Sequence, residues 1–246
     1  MHRAVRAAAA AACVIAFSAG CAELAPVAPP EQRVVTAQPV TPSTSLDLEA
    51  AEPTLEGFTE LERAALRIRN IGCGGVRTGS GFAIGDRLLV TNRHVVAGAT
   101  TLEVTTFDGK DIDVRTSGAA SVADLAIVRT RERLPASITL APGNPEVGQT
   151  VTAIGYPLGG PLTTTDGRVL GYRPDPVAKS DLPMLLSSAP VEHGSSGSPL
   201  VDITGELVGV VYASTGPGHT YAVPIEVLED VLDRPSAFAS KTGCTD

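Results

Sequence analysis

Short runs in which apolar and polar residues alternate recur through most of the chain, separated by turns rich in glycine and proline. Such alternation predicts strands with one buried face, and Asp108-Gly109 between two runs predicts a hairpin. The predicted strands cover 66–69, 78–84, 87–91, 101–106, 110–115 and 125–128, then 150–155, 162–165, 168–172, 184–188, 199–202, 207–212 and 220–223. Two groups of about six strands predict an all-β fold of two six-stranded antiparallel β-barrels.

Two helices are expected beside these strands. Thr59 and Glu62 have the spacing of a capping box, and the apolar residues around them predict a short helix. The second helix covers about 224–234, where proline occupies the first turn and apolar residues share one side. The globular part therefore runs over 55–246, with barrel one at about 65–131 and barrel two at about 147–223.

The N-terminal residues have a different pattern. A basic start followed by an apolar run and small residues predicts a signal peptide over 1–20, because the run is too short to span a bilayer. Residues 21–54 are rich in proline and contain neither glycine nor aromatic residues, which predicts a disordered tether. Ser18-Ala19-Gly20 before Cys21 resembles a bacterial lipoprotein cleavage site, with Ser18 where leucine is usual. We expect lipidation of Cys21; the alternative is ordinary cleavage and free secretion.

Composition narrows the classes of partner. The chain has 246 residues, 43% of them hydrophobic, and a net charge of −8. This charge argues against nucleic acid as a partner and against loose binding to anionic lipid, so membrane contact is expected only through the N-terminal anchor.

Two cysteines remain in the globular part after the signal sequence and Cys21 are set aside. Outside the cytoplasm we expect Cys73 and Cys244 to form a disulfide, the alternative being two free thiols. Neither cysteine has a histidine or another cysteine at ligand spacing, so we expect neither a metal site nor a cofactor.

Three residues have the types and settings that acyl transfer by serine requires. Ser196 lies among glycines and small residues just before an apolar strand, so the loop can direct backbone N–H groups to one point. His94 follows a buried strand where a short helix begins, and Asp124 directly precedes another buried strand. A nucleophile, an imidazole base and a carboxylate form a catalytic set. Taken singly, each residue also fits an ordinary structural role.

The order of the three motifs points to a family. Residues 91–96, 123–128 and 194–200 resemble the three motif blocks of chymotrypsin-fold, trypsin-like serine proteases, and are most similar to the bacterial HtrA-like group. The runs 78–82 and 221–224 also match, and the resemblance covers about 60–235. It implies a chymotrypsin-like pair of barrels. Too few residues follow the last helix for a PDZ domain, so none is expected.

The resemblance implies a role for each site residue. Ser196 attacks the peptide carbonyl, His94 transfers the proton, and Asp124 orients His94. The N–H groups of Gly194 and Ser196 form the oxyanion hole. Two positions depart from the family pattern: Ser195 lacks the carboxylate that pairs with a newly cut N-terminus, and Ser198 replaces a glycine in a crowded turn.

The resemblance also implies a specificity pocket formed by Pro190, Ala213 and His219. In that pocket His219 would favour an acidic or polar residue before the cut; the alternative is an exposed loop histidine after Gly216-Pro217-Gly218. Pro190, Val191 and Ala213 would instead make the pocket mildly apolar. His193 is expected to line a surface or pocket.

The function that these features predict is a serine endopeptidase outside the cytoplasm, acting on proteins or peptides. The alternative is a catalytically silent trypsin-like fold that binds peptides or proteins at the cell surface. An esterase is disfavoured, because the serine lacks the strand–turn–helix motif and the order of residues found in that class.

Overall fold

A computed structural model describes residues 58–72, 74–120, 123–214, 219–234 and 238–240. The predicted signal peptide, the tether and all three of Cys21, Cys73 and Cys244 lie outside these ranges. Across the described segments, no helix combines the length and apolar character needed to cross a membrane.

The described chain forms two antiparallel sheets. The first has eight strands in the order β14-β6-β7-β3-β2-β1-β4-β5. These strands are β1 (Ala65–Gly72), β2 (Gly75–Gly85), β3 (Leu88–Asn92), β4 (Ala99–Thr105), β5 (Asp111–Ile112), β6 (Val114–Ala120), β7 (Leu125–Thr130) and β14 (Phe238–Ser240). The predicted run 110–115 is divided between β5 and β6, and β14 was not predicted, so this sheet has eight strands rather than six.

The second sheet is a closed barrel of six strands in the order β10-β13-β12-β11-β8-β9. Its strands are β8 (Thr150–Gly155), β9 (Thr163–Asp175), β10 (Ser180–Ser187), β11 (Pro199–Val201), β12 (Leu207–Ser214) and β13 (Thr220–Pro224). The all-β class, the two antiparallel sheets and the helix after them are confirmed.

Strand β9 corrects one sequence-based boundary. The sequence pattern predicts separate strands over 162–165 and 168–172, but β9 continues through Asp166 and Gly167 and pairs with β8 along its first half. A Cβ at Gly167 would clash with the backbone nitrogen of Ala189. The glycine therefore allows a close approach of two backbones and does not mark a turn.

Three short helices accompany the sheets: α1 (Glu60–Ala64), α2 (Arg93–Val96) and α3 (Ile225–Leu232). The predicted capping box is present, because the Glu62 N–H donates to Thr59 Oγ1 and the Thr59 N–H donates to the Glu62 carboxylate. Helix α3 buries one apolar side, formed by Ile225, Leu228 and Val231.

The core consists of three apolar clusters. One fills the first sheet around Leu66 and Leu89, and another fills the barrel around Leu185 and Leu200. The third cluster combines Phe82 and other residues of the first sheet with residues of the barrel and of α3. This shared cluster holds the two sheets together, and the candidate site lies where their loops meet.

Candidate active site

His94 occupies the first turn of α2, immediately after the buried strand β3. Its neighbours Val95 and Val96 are buried in the core of the first sheet and anchor the helix. The His94 side chain itself is 47% exposed and lines a cleft of about 950 Å³. The local pattern of one polar residue before two buried valines therefore fixes the backbone and leaves the imidazole accessible.

Asp124 lies just before β7, which pairs with β3 so that Leu125 is opposite Asn92. Its φ of 51° lies in the left-handed region, which aspartate tolerates better than most residues. The His94 Nδ1–H donates to Asp124 Oδ2 at 2.5 Å, and the His94 backbone N–H donates to Oδ1 at 3.1 Å. The carboxylate is only 11% exposed. This pair fixes the ring so that Nε2 is the nitrogen left for a substrate or a nucleophile.

Arg93 adds two contacts that the sequence analysis did not identify. Its backbone N–H donates to the Asp124 carbonyl at 2.7 Å, and its Nε lies 3.4 Å from Asp124 Oδ1. The carboxylate of Asp124 therefore accepts three donors.

Ser196 belongs to a loop whose backbone contacts the first sheet. The Ser80 N–H donates to the Ser196 carbonyl at 2.8 Å, and the Ser80 hydroxyl donates to the Gly194 carbonyl at 2.8 Å. Ser80 is a buried residue of β2. Two carbonyls of the loop 193–198 are thus held by one residue of the other sheet.

The remaining two carbonyls of residues 193–196 are held within the barrel. The Leu158 N–H donates to the His193 carbonyl at 2.5 Å, and the Ser198 N–H donates to the Ser195 carbonyl at 3.0 Å. Leu158 is a non-glycine residue with a φ of 56° in the Pro157–Gly159 turn. Its amide could not have been recognised from the sequence, because any residue supplies one.

The N–H and C=O of a trans peptide point in opposite directions. The bonds that hold the His193 and Ser195 carbonyls therefore direct the Gly194 and Ser196 N–H groups away from the Leu158 and Ser198 amides. Neither the Gly194 N–H nor the Ser196 N–H has an acceptor among the described residues. A Cβ at Gly194, where φ is 93°, would lie 2.6 Å from the Leu158 nitrogen. Glycine is therefore required here, and the two amides are available to a developing negative charge.

The Ser196 hydroxyl lines the same cleft as His94 and Asp124. Its Oγ lies 3.5 Å from the Tyr212 carbonyl, and no hydrogen bond joins it to His94 within the described ranges. The structure therefore brings His94 and Asp124 into direct contact and brings Ser196 into their cleft without that contact.

Tyr212 forms a wall beside the imidazole, with ring centroids 6.4 Å apart. Burial raises the pKa of the Tyr212 phenol to about 12, with further contributions from the carboxylates of Asp175 and Asp124. The phenol is therefore neutral at physiological pH.

The predicted pocket residues are divided between two cavities. Pro190 and His219 line a neighbouring cavity of about 460 Å³, whereas Ala213 lines the cleft of His94 and Ser196. Hydroxyl-bearing side chains contribute much of the lining of the smaller cavity: Thr163, Thr165, Ser195, Ser198, Ser214 and Thr220. His193 is exposed and lines the larger cleft, as expected of a pocket residue.

The candidate site contains no cluster suited to a metal ion. No group of three or more histidine, cysteine, aspartate or glutamate side chains with that arrangement occurs in the part of the chain that the structure describes.

Known proteins with similar sequences include described serine endoproteases. The chain is 32% identical over 164 residues to a probable periplasmic serine endoprotease DegP-like of Hahella chejuensis, a match covering 64% of this chain and 35% of that protein. A protein of the same description from Ectopseudomonas mendocina is 31% identical over 222 residues, covering 86% of this chain and 46% of that protein. The chain thus spans less than half the length of these two relatives.

A solved structure is similar over most of the chain. The active form of the Rv3671c protease from M. tuberculosis aligns with a TM-score of 0.64 and 26% identity, covering 85% of this chain and 95% of that one. The trypsin-like peptidase domain family matches residues 79–210, which include His94, Asp124 and Ser196. With this match over more than half of its length, the chain belongs to the trypsin-like peptidase domain family.

Proposed function

We propose that this protein is an extracytoplasmic serine endopeptidase that cleaves proteins or peptides through His94, Asp124 and Ser196. One observation carries the proposal: the hydrogen-bonded His94–Asp124 pair shares a cleft with Ser196, and the Gly194 and Ser196 N–H groups have no acceptor among the described residues. A base with a fixed tautomer, a nucleophile and two donors for an oxyanion are the components of acyl transfer by serine.

In the proposed reaction the Ser196 hydroxyl attacks the peptide carbonyl while its proton passes to His94 Nε2. The carbonyl oxygen becomes an anion that the Gly194 and Ser196 N–H groups bind. The protonated imidazole then gives its proton to the leaving amine, and the C–N bond breaks to leave an acyl-enzyme. Water repeats the sequence with the same base and releases the acid.

Ser196 must turn toward His94 for the first step. The contact that it leaves is weak, because 3.5 Å to the Tyr212 carbonyl is at the limit of hydrogen bonding. Rotation about the Cα–Cβ bond of Ser196 moves the hydroxyl between staggered positions without moving the backbone. Hydrogen bonds between catalytic groups are often long in enzymes without substrate and shorten in the complex.

The side chain before the scissile bond is proposed to enter the cavity of Pro190 and His219. His219 and the hydroxyl groups of the lining would bind a polar group, and its apolar part, which includes Pro157 and Val191, would contact carbon atoms. We therefore expect a side chain that carries a polar group on an apolar stem rather than a large, wholly apolar one. Cleavage of a peptide library, with the cut sites read by mass spectrometry, gives this preference directly. A profile dominated by leucine and phenylalanine at that position would contradict it.

A fluorophosphonate probe tests the nucleophile in the full-length chain. We expect the probe to label the wild type at Ser196. The Ser196→Ala variant should lose both the labelling and the cleavage of casein. A folded wild type that neither reacts with the probe nor cleaves casein would contradict the proposal. That result would favour the second candidate, a silent binding module, which is supported by the absence of a direct Ser196–His94 hydrogen bond in the described ranges.

The extracytoplasmic location is proposed from the N-terminal sequence and from relatives described as periplasmic. We further propose the signal peptide at 1–20, the tether at 21–54 and the protease domain at 55–246. A lipid on Cys21 would be detected by metabolic labelling with palmitate and lost in Cys21→Ser. A disulfide between Cys73 and Cys244 would be detected as a linked peptide by mass spectrometry without reduction.

A further inference from the structure

Ser80 makes four hydrogen bonds with its backbone and side chain, although it is a 0% exposed residue of a strand in the first sheet. Its N–H donates to the Ser196 carbonyl at 2.8 Å, and its hydroxyl donates to the Gly194 carbonyl at 2.8 Å. The same hydroxyl accepts the Tyr156 N–H at 2.9 Å, and the Ser80 carbonyl accepts the Thr91 hydroxyl at 2.6 Å. Three of these bonds cross to the barrel.

The Gly194 carbonyl is the critical one of these partners. It belongs to the peptide group between residues 194 and 195, which lies between the two amides of the oxyanion hole. A peptide group is rigid, so it can reorient only if the torsions of the flanking residues change. Glycine at 194 makes such a change easy. The Ser80 hydroxyl opposes this rotation, and the Ser80 N–H fixes the loop on its other side.

The contact with Tyr156 extends this support to a second loop. Tyr156 precedes the Pro157–Gly159 turn, and within that turn the Leu158 N–H holds the His193 carbonyl. The Ser80 hydroxyl therefore joins the loop of Ser196 to the Pro157–Gly159 turn. That turn orients the peptide group that carries the Gly194 N–H.

We propose that the Ser80 side chain is a positioning residue for the oxyanion hole: it holds the amides of Gly194 and Ser196 in the orientation that binds the developing oxyanion. This assignment rests on the proposed function. It places a determinant of turnover in the first sheet, away from the cleft lining, in a residue that does not touch the substrate.

Ser80→Ala removes the hydroxyl and leaves both the Gly194 carbonyl and the Tyr156 N–H without that partner. The full-length protein is mixed with p-nitrophenyl acetate, a small acyl donor that needs no specificity pocket. The burst amplitude counts the folded active sites, and the burst rate gives acylation per site. We expect an amplitude near that of the wild type with acylation slowed roughly 10- to 100-fold, somewhat less than the loss of one oxyanion donor.

Two further variants keep the outcome decisive. Ser80→Cys retains the size and a weak donor and should acylate at an intermediate rate, which decides the matter if Ser80→Ala does not fold. Ser117→Ala, the same change on β6 of the first sheet, should leave the rate unchanged. Wild-type acylation per site in Ser80→Ala or Ser80→Cys would overturn the assignment. A wild type with no Ser196-dependent burst would instead overturn the proposed function itself.

Discussion

Arg93 contacts Asp124 through both its backbone and its side chain. The backbone N–H donates to the Asp124 carbonyl, and the guanidinium Nε lies 3.4 Å from a carboxylate oxygen. Asp124, which accepts from the His94 ring, is therefore also held by Arg93, the residue that precedes His94. The backbone contact does not depend on the side chain at position 93, so the two contacts can be separated by mutation.

Arg93→Ala should lower kcat/KM only about two- to fivefold, because a partly exposed ion pair contributes roughly 0.2–1 kcal/mol. Steady-state cleavage of fluorescent casein measures the change. Arg69→Ala is the matched control, since it breaks an exposed pair with Glu103 outside the cleft. A hundredfold loss for Arg93→Ala would show that the guanidinium has a larger part in catalysis than its geometry indicates.

Asp124→Asn should lower kcat by about 10⁴-fold with little change in KM. The amide presents a donor toward Nδ1 and so selects the wrong tautomer of His94. Asparagine accepts the left-handed backbone at this position, so the variant should fold. Circular dichroism checks folding, and casein turnover checks catalysis. Turnover close to that of the wild type would be incompatible with the assigned role.

Gly194→Ala should slow acylation by at least about 10²-fold, the cost of losing one oxyanion donor. The new methyl group would meet the Leu158 nitrogen and the Tyr156 carbonyl, and the positive φ disfavours any side chain. Gly85→Ala is the control, because open space surrounds that position. Burst kinetics with p-nitrophenyl acetate measure both. Equal rates for the two variants would argue against an oxyanion hole at Gly194.

Ser198→Ala should raise the free energy of unfolding by about 1 kcal/mol, because it removes a buried hydroxyl that has no partner among the described residues. The midpoint of thermal unfolding should rise by roughly 2–4 °C.

Gly155→Ala should be destabilising on its own, since its Cβ would overlap the Ser198 hydroxyl. The double variant Gly155→Ala/Ser198→Gly should recover only part of that loss, because the new Cβ would still lie 2.9 Å from the Ser80 hydroxyl. Additive effects at the two positions would rule out the direct contact.

Stability should fall as the pH rises from about 10 to about 12. Burial raises the pKa values of Tyr156, Tyr172 and Tyr212 to about 12, whereas the unfolded chain ionises these phenols near 10. Between these values the unfolded state loses protons that the folded state keeps, so unfolding becomes more favourable. Thermal unfolding across this range, with absorbance at 295 nm to follow phenolate, measures it. Ionisation of all tyrosines near pH 10 without unfolding would contradict the expectation.

Thr59→Ala should lower the free energy of unfolding by about 1 kcal/mol, the usual value of a side-chain N-cap. Chemical denaturation of the full-length chain measures the loss. Thr100→Ala, which removes an exposed side-chain bond to the Ile71 carbonyl without affecting a helix end, is the comparison. An equal effect of the two changes would show that the capping box contributes nothing specific.

The strands with alternating burial could be predicted from the sequence, and β8 has the predicted bounds. The continuity of β9 could not be predicted, because Asp-Gly usually marks a turn and only the packing against Ala189 shows why Gly167 is needed. Strand β14 pairs with β6 far from it in sequence. Local patterns do not encode such distant pairing.

The same limit applies to the candidate site. His94, Asp124 and Ser196 have distinctive chemistry in recognisable motifs, so the sequence predicts them as site residues. In the sequence, Ser80 is only one residue of the run 78–82 that matches the family. Its contact with Gly194 depends on how the two sheets pack. Leu158 holds the His193 carbonyl through its backbone amide, which its residue type does not predict. Arg93 lies beside His94, but its contact with Asp124 needs the turn before β7.

The bonds from Ser80 to the loop of Ser196 bear on how the protein matures. While only one sheet has folded, the chain contains Ser196 but lacks the hydrogen bonds from Ser80 that orient the backbone of its loop. Under the proposed function, peptide cleavage would begin only after both sheets have folded and packed together, so partly folded copies would not cleave their neighbours.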